Sequence, residues 1–171
     1  GASQYRKDFC KRFLDEVDVS VIKGNASEIL TLVDSNTTMK GTDGDSELNV
    51  LDIANDAYKK YQTAIVITGE HDIVMQDNKM TKLSNGSSMS AKITGAGCLL
   101  GGVIASFLFR NTKPKHETLV EAVSFYNIAG EIAASEDKVK GPGSFLPELL
   151  DQMYLLDYKT YEKYVKKEEV D

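Results

Sequence analysis

The stretch that most constrains the fold is residues 92–110, which reads KITGAGCLLGGVIASFLFR. Its pattern predicts a strand, a tight turn at Gly95 and Gly97, and a buried helix without a charge before Arg110. A helix that begins directly after glycines directs unpaired N–H groups and the positive end of its dipole at whatever lies in front of it. The stretch therefore predicts an anion site, usually for phosphate, although such glycines can also serve only close packing of a helix on a sheet.

Cys98 lies in the first turn of this predicted helix. A thiol at a helix N-terminus is a candidate for chemistry, whereas most free cysteines are small core residues. The uncharged run over residues 93–109 is shorter than the roughly 20 apolar residues that a membrane span requires. We therefore predict no span.

The composition is that of one ordinary globular domain. A chain of 171 residues can bury a proper core, and 42% apolar with 27% charged residues is typical of globular proteins. The formal net charge of −6, without a basic stripe, argues against a nucleic-acid partner. Because Cys10 and Cys98 are far apart, we predict a reducing cytoplasm and no disulfide framework.

Apolar periodicity predicts an α/β fold, with a mostly parallel sheet covered by helices and an antiparallel edge hairpin. Strands are predicted over residues 17–22 and 64–68, and helices over residues 4–16, 25–33, 48–61, 117–135 and 144–156. Ser144 is the predicted N-cap of the last of these helices. Residues 34–47 are predicted to form a loop.

A hairpin and a surface helix complete the predicted elements. Residues 72–76 and 79–84 flank Asp77-Asn78, a two-residue turn signal. The charged, tyrosine-rich tail from Asp157 suggests a last helix against the surface. His71 and His116 are interpreted as surface residues without metal-ligand spacing.

Four motifs in order suggest a family. They read KGNASE at residues 23–28, ITGEHD at 67–72, TGAGC at 94–98 and GPGSF at 141–145. Together they resemble the motifs of hydroxyethylthiazole kinases, thiamin-pathway enzymes of the ribokinase-like superfamily. The resemblance implies a ribokinase-like fold, a homotrimer, and phosphorylation of the primary hydroxyl of 4-methyl-5-(2-hydroxyethyl)thiazole by ATP with Mg²⁺.

The resemblance also implies roles for the glycine turn. The catalytic phosphate-binding turn would be Gly95, Ala96, Gly97 and Cys98, with Gly95 also beside the substrate. Most of the superfamily carries Asp at the position of Cys98, and that Asp takes the alcohol proton. Here either the thiolate accepts the proton or the donor array does most of the work, because the phosphoryl transition state is loose.

The other motifs supply the implied ligand contacts. By resemblance Lys23, Asn25 and Thr68 bind ATP, and Glu28 organises Mg²⁺ through water, which suits an ion that keeps much of its hydration shell. On residue pattern alone, Asn25 and Glu28 could instead be an ordinary helix-start Asn and a solvated Glu. Residues 141–143 are interpreted as a tight turn that is structural or lies near the nucleotide.

Two alternatives and one boundary remain open. The chain could be another small-alcohol kinase, acting on hydroxymethylpyrimidine or pyridoxal, although Cys98 in place of Asp counts against this. It could also be a non-catalytic nucleotide-binding module. Residues 1–6 resemble an internal segment of the family, so we predict a single domain, residues 1–171, that is the C-terminal part of a longer kinase polypeptide.

Overall fold

The computed structural model describes residues 3–33, 46–109 and 113–170, with the side chains of residues 46–49 left aside. The helices are α1 (Gln4–Glu16), α2 (Ala26–Val33), α3 (Ser46–Tyr61), α4 (Ala96–Phe107), α5 (His116–Ser135), α6 (Pro142–Leu155) and α7 (Tyr158–Tyr164). The strands are β1 (Val21–Asn25), β2 (Ala64–Thr68), β3 (Asp72–Gln76), β4 (Lys79–Leu83) and β5 (Lys167–Val170).

The described strands form one five-stranded sheet in the order β1-β2-β3-β4-β5. The pair β1 and β2 is parallel, and the three pairs that follow it in this sheet are antiparallel. Helices cover both faces, so the predicted α/β class is confirmed. In the part of the chain that is described, the parallel character lies in β1 and β2.

The β3–β4 hairpin turns through Asp77 and Asn78, as predicted. Both residues have positive φ, 54° and 57°. Two central residues with positive φ are the signature of the turn type whose twist matches the flanking strands. Asn and Asp tolerate this conformation better than most residues, which is why the dipeptide was informative.

Two apolar clusters lie on opposite faces of the sheet. On β2, Ala64 and Val66 belong to the cluster under α4, α5 and α6, whereas Ile65 and Ile67 belong to the cluster under α2 and α3. These four residues are all buried, as expected for a strand covered on both sides. Strand alternation thus distributes one apolar run between two cores.

The prediction that a strand leads into the glycine turn is wrong. Residues Ser88–Lys92 form a short 3₁₀ helix instead. The Ser87 hydroxyl accepts a hydrogen bond from the Met89 N–H at 3.2 Å and caps this turn. A serine that bonds the nearby backbone offers it an alternative to a strand ladder, which explains the difference.

Several predicted boundaries also move. Strand β1 begins at Val21 rather than residue 17, because its pairing with β2 begins there. Helix α6 begins at Pro142 with Gly141 as its N-cap, so the predicted N-cap Ser144 lies in the first turn. Proline suits the first helical position because its φ is already helical. The predicted loop lies largely outside the described residues, and α3 begins at Ser46.

The tail contains the predicted helix, α7, and a strand that the sequence did not predict. Strand β5 reads Lys-Glu-Glu-Val and pairs antiparallel with β4, from Met80 opposite Val170 to Leu83 opposite Lys167. Its charged side chains gave no strand pattern. Charged residues are usual on edge strands because they discourage further pairing.

His116 is buried, contrary to the surface position predicted for it. Only 4% of it is exposed, and its Nε2 lies 3.1 Å from the Thr81 hydroxyl. Helix α5 packs on β3 and β4 at its start, which encloses the ring. Among the described residues, no helix is both long and apolar enough to cross a membrane.

Candidate functional site

Two of the sequence motifs meet at the carboxyl ends of the parallel strands. The register of β1 and β2 places Asn25 opposite Thr68, the last residue of each strand. Neighbouring strands lie about 4.8 Å apart, so the two backbones are adjacent at this edge. The carboxyl edge of parallel strands is where α/β proteins place ligand groups.

Asn25 and Glu28 form a reciprocal cap at the start of α2. The Glu28 N–H donates to Asn25 Oδ1 at 2.9 Å, and the Asn25 N–H donates to Glu28 Oε2 at 2.8 Å. This capping box satisfies two backbone donors that a helix start leaves unpaired. Both side chains therefore have a structural role that requires no ligand.

Gly24 lets α2 fold back closely onto β1. A Cβ at this position would lie 3.0 Å from Glu28 Oε2 and 3.3 Å from Ile29 Cδ1. These separations are shorter than nearly all real Cβ contacts. Any larger residue at position 24 would make Glu28 and Ile29 shift by a few tenths of an ångström, so close packing favours glycine here.

The glycine turn has the geometry predicted for an anion site. Gly95 is the N-cap of α4 with φ +91°, a left-handed conformation that favours glycine. The Ala96 N–H donates to the Ile93 carbonyl at 3.4 Å, and the Leu99 N–H donates to Gly95 at 2.9 Å. The N–H groups of the first turn between these two belong to Gly97 and Cys98, where a helix has no internal acceptors. Cys98 is exposed.

Lys23 brings a positive charge to this turn. A Cβ placed on Gly97 would lie 3.5 Å from Lys23 Nζ, and one on Gly101 would lie 3.9 Å from Lys23 Cε. The lysine side chain therefore extends from β1 along the first two turns of α4. An ammonium beside the N-terminus of a helix strengthens its attraction for an anion.

A cleft of about 650 Å³ opens in front of these elements. Thr68 and Gly69 line it from the end of β2, and Ala96 and Gly97 line it from the start of α4. Residues 84–91, which we call the serine wall, form another side, and all of them except Met89 line the cleft. Lys23, Asn25, Glu28, Gly95 and Cys98 are not among the lining residues, so the structure joins the motifs around the cleft without placing all of them in it.

Asp72 and Asn127 also line this cleft, and the sequence did not predict that their side chains are hydrogen-bonded to each other. Asp72 is only 7% exposed, and its carboxylate accepts hydrogen bonds from the Gly69 N–H at 2.9 Å and from Asn127 Nδ2 at 2.8 Å. Burial raises the pKa of Asp72 above its ordinary value, and these hydrogen bonds oppose the rise. A single amide in the apolar α5 sequence was the available signal, since a buried amide needs partners.

Tyr126 fixes the start of α4 from the floor of the cleft. Its hydroxyl donates to the Ala96 carbonyl at 3.0 Å. Burial raises the pKa of Tyr126, so the phenol stays protonated and able to donate. Tyr126 lies in the helix predicted over residues 117–135, and that prediction gave no indication of this contact.

The GPG motif forms the start of α6 and lies outside the cleft. Gly141 precedes α6, and none of residues 141–143 lines the cleft. Phe145, in the first turn of α6, is fully buried in the larger core. The structural interpretation of this motif is therefore the one that the geometry favours.

The described residues contain no group of three or more His, Cys, Asp or Glu side chains arranged to hold a metal ion. Glu28 offers a single exposed carboxylate, half engaged in the helix cap. Such a donor suits a cation that keeps most of its water ligands, as Mg²⁺ does, and does not suit direct chelation.

Comparison with known proteins gives consistent results. The family model described as the hydroxyethylthiazole kinase family matches residues 1–159. A relative from Staphylococcus haemolyticus, named hydroxyethylthiazole kinase, is 63% identical over 171 residues, which are 100% of this chain and 65% of that protein. A relative of the same name from Staphylococcus epidermidis is 64% identical over 170 residues, which are 99% of this chain and 65% of that protein.

A solved structure titled as hydroxyethylthiazole kinase protein from Pyrococcus horikoshii OT3 matches with a TM-score of 0.84 and 29% identity. The match covers 100% of this chain and 62% of that chain. This likeness confirms the predicted ribokinase-like fold. The chain spans about 65% of the length of the two staphylococcal relatives.

Proposed function

The chain belongs to the hydroxyethylthiazole kinase family, and from this premise we propose that its polypeptide transfers the γ-phosphoryl group of ATP to the primary hydroxyl of 4-methyl-5-(2-hydroxyethyl)thiazole. The products would be ADP and the phosphate ester, made for thiamin biosynthesis or salvage. One observation carries the proposal. Lys23 Nζ lies beside Gly97 at the start of α4. On β1, Lys23 is two residues before Asn25, which is paired in register with Thr68.

The glycine turn would bind the phosphoryl group that moves. The N–H groups of Gly97 and Cys98, the dipole of α4 and the Lys23 ammonium all present positive charge. Phosphoryl transfer passes through a loose transition state with charge on the equatorial oxygens, so such donors supply most of the catalysis. Gly95 and Ala96 shape the turn, and Gly95 would lie beside the substrate alcohol.

The triphosphate would be bound at the strand ends. We assign the Thr68 hydroxyl to the ATP phosphates, with Lys23 and Asn25 as further nucleotide contacts. Glu28 would hold Mg²⁺ through water molecules. When bound, Mg²⁺ neutralises charge on the β- and γ-phosphates.

Cys98 stands where other superfamily kinases carry the carboxylate that takes the alcohol proton. We propose that it lines the reacting site. Proton removal can occur late in a loose transition state, so the donor array carries most of the stabilisation. In its thiolate form the exposed Cys98 side chain would accept the alcohol proton as the ester forms, and would become the neutral thiol.

The test is ATP consumption with hydroxyethylthiazole and Mg²⁺, with the product identified by mass. It uses the polypeptide expressed from its natural gene. Gly97→Val is expected to abolish turnover without unfolding the protein, because its side chain would contact Lys23 Nζ and fill the anion site. Gly102→Val is the matched control, since no atom lies within 4 Å of a Cβ at this position of the same helix.

Each outcome has a distinct meaning. Product formation in the wild-type protein and the control, but not in Gly97→Val, supports the function and the site together. Turnover that survives in Gly97→Val would remove the glycine turn from the mechanism. ATP binding without product would favour a different alcohol, such as hydroxymethylpyrimidine or pyridoxal, or a non-catalytic nucleotide-binding module.

A cytoplasmic location and a homotrimer are further proposals that rest on the family resemblance. The exposed aromatic rings of α1 support an interface there, since Tyr5 is 79% and Phe9 is 53% exposed. Exposed apolar patches are typical of protein contacts. Light scattering on the same polypeptide measures the number of subunits.

A further inference from the structure

The serine wall, residues 84–91, is held in place from the distant end of the chain. Its own hydrogen bonds run from the Met89 N–H to the Ser87 hydroxyl at 3.2 Å and from the Ser90 N–H to the Ser87 carbonyl at 3.0 Å. These bonds shape the 3₁₀ turn but do not set its distance from β2 and α4. That distance depends on how residues 84–86 are attached.

Asn85 makes the main attachment. It is 4% exposed, and its Oδ1 accepts a hydrogen bond from the Lys166 N–H at 2.7 Å. Its Nδ2 donates to Glu131 Oε2 at 2.7 Å and to the Tyr164 carbonyl at 2.9 Å. Both amide hydrogens and the amide oxygen therefore have partners, and all of these lie on α5 or near the C-terminal end.

The residues on either side of Asn85 are attached to the same partners. The Ser84 N–H donates to the Lys166 carbonyl at 3.0 Å, and the Gly86 N–H lies 3.4 Å from Glu131 Oε2. Lys166 Nζ forms an ion pair with Glu131 Oε1 at 2.5 Å. Three successive wall residues are thus bonded to Lys166 and Glu131, about 80 and 45 positions away in sequence.

Glu131 carries a charge that suits this role. Burial raises the pKa of Glu131, but the hydrogen bonds from Lys166 and Asn85 outweigh that effect and hold it below its ordinary value. The carboxylate is therefore ionised at neutral pH. A charged acceptor makes hydrogen bonds roughly twice as strong as a neutral one does.

The hydrogen bonds from residues 84–86 to Glu131 and Lys166, with the Glu131–Lys166 ion pair, form a clamp. This clamp lies partly outside the region that identifies the family. Residues 160–171 follow the stretch matched by the family model, whereas the Staphylococcus haemolyticus relative aligns over all 171 residues. The cleft lined by the wall also contains Thr68, which we assign to the nucleotide. The C-terminal segment is therefore connected to the nucleotide side of the cleft through residues 84 and 85, and the buried Asn85 amide makes most of these hydrogen bonds.

We propose that Asn85 is a positioning residue for ATP, and that it sets the serine wall against the cleft through Glu131 and residues 164–166. The inference rests on the proposed function, because it takes ATP to be the ligand of this cleft. Releasing the wall should weaken ATP binding and leave the alcohol and the chemical step largely unchanged.

The experiment compares kinetics and wall mobility in the polypeptide expressed from its natural gene. Asn85→Ala and Glu131→Ala are expected to raise KM and the dissociation constant for ATP about tenfold, the effect of losing roughly one good hydrogen bond. The KM for hydroxyethylthiazole and kcat should each stay within about twofold of the wild-type values. Hydrogen exchange of amides 86–91 should accelerate in both variants.

Two further variants separate positioning from general stability. Glu131→Gln keeps an acceptor for Asn85 and should restore ATP binding to within about threefold of wild type. Glu117→Ala, on the same helix, breaks an exposed ion pair to Lys79 of 2.9 Å that does not touch the wall. It should leave KM for ATP and amide exchange unchanged.

The outcomes distinguish this inference from the proposed function. A wild-type protein that neither binds ATP nor turns it over overturns both. A wild-type protein that is active, with Asn85→Ala folded and unchanged in KM for ATP, overturns the positioning role alone. A decrease in kcat together with equal increases in both KM values would mean that the clamp serves folding only. That result would also overturn the positioning role.

Discussion

At the scale of single residues, two glycines are required for different physical reasons. Gly95 adopts φ +91° at the start of α4, where a side chain would meet no neighbour but would strain the backbone. Gly24 has no such backbone demand, but a Cβ there would make tight contacts with Glu28 and Ile29, which would have to shift. The first requirement is local and was predicted from the turn. The second depends on how α2 folds over β1 and was not.

His116 gives a pH prediction at this scale. Burial lowers its pKa below the ordinary value of 6.5, so between the two values the unfolded chain binds more protons than the folded one. The stability contributed by the neutral His116 side chain is therefore fully present above the pKa of the unfolded state. It is lost as the pH falls below that value. We expect the free energy of unfolding to decrease from pH 7.5 to pH 5.5, and to decrease less in His116→Gln.

Denaturant unfolding of the two proteins across this range is the measurement. Between pH 7.5 and 9 the imidazole is neutral in both states, so the difference between wild type and variant should be constant there. Parallel curves for the two proteins down to pH 5.5 would show that His116 contributes nothing to the pH dependence.

At the scale of elements, the capping box of α2 combines a structural and a proposed catalytic role. The Asn25 N–H bonds Glu28 Oε2, and the Glu28 N–H bonds Asn25 Oδ1, so the motif Asn-x-x-Glu has a complete local explanation. Family resemblance alone assigns Glu28 to Mg²⁺. A substitution that keeps the cap and removes the charge separates the two roles.

Glu28→Gln is that substitution. Its amide oxygen can accept the Asn25 N–H, so we expect the free energy of unfolding to change by only about a few tenths of a kcal/mol. Glu28→Ala loses the cap and should be destabilised by about 1 kcal/mol. Both should reduce turnover and raise the Mg²⁺ concentration needed for half-maximal rate, measured by magnesium titration. Unchanged magnesium dependence in Glu28→Gln would remove Glu28 from the metal site.

At the scale of the whole molecule, one sheet joins two apolar cores. Ile29 and Leu149 are fully buried on opposite faces, under α2 and α6 respectively. Because β2 contributes alternate side chains to both clusters, loss of packing on one face removes support from the other. The single domain predicted from length should therefore unfold as one unit.

Shortening one buried side chain in either apolar cluster tests this expectation. Ile29→Ala and Leu149→Ala should each lower the free energy of unfolding by about 2–5 kcal/mol, the range for buried large-to-alanine changes. Each variant should still show a single unfolding transition, shifted from that of wild type. Its midpoint should be the same by far-ultraviolet and near-ultraviolet circular dichroism. Leu155→Ala is the control, because its side chain is 64% exposed and should cost about 0.5 kcal/mol or less. Two separate transitions would contradict a single cooperative domain.

Features that depend on neighbouring residues could be predicted from the sequence. A short apolar run located β2, Asp77 and Asn78 located the hairpin, and the glycines after Thr94 located the start of α4. The motifs also indicated the family, because each is a short run of neighbouring residues that can be recognised without the folded structure. Such patterns report local conformational preference, which the chain carries wherever it is placed.

Contacts between distant residues depend on strand pairing and helix packing in the folded chain. Asn25 lies opposite Thr68 because β1 pairs with β2, and Lys23 reaches Gly97 because the first turns of α4 lie beside β1. The charged strand β5 exists because β4 offers it a hydrogen-bonding edge, and it carries Lys166 to the serine wall. Burial and pairing depend on contacts between residues far apart in sequence, and no local pattern encodes them.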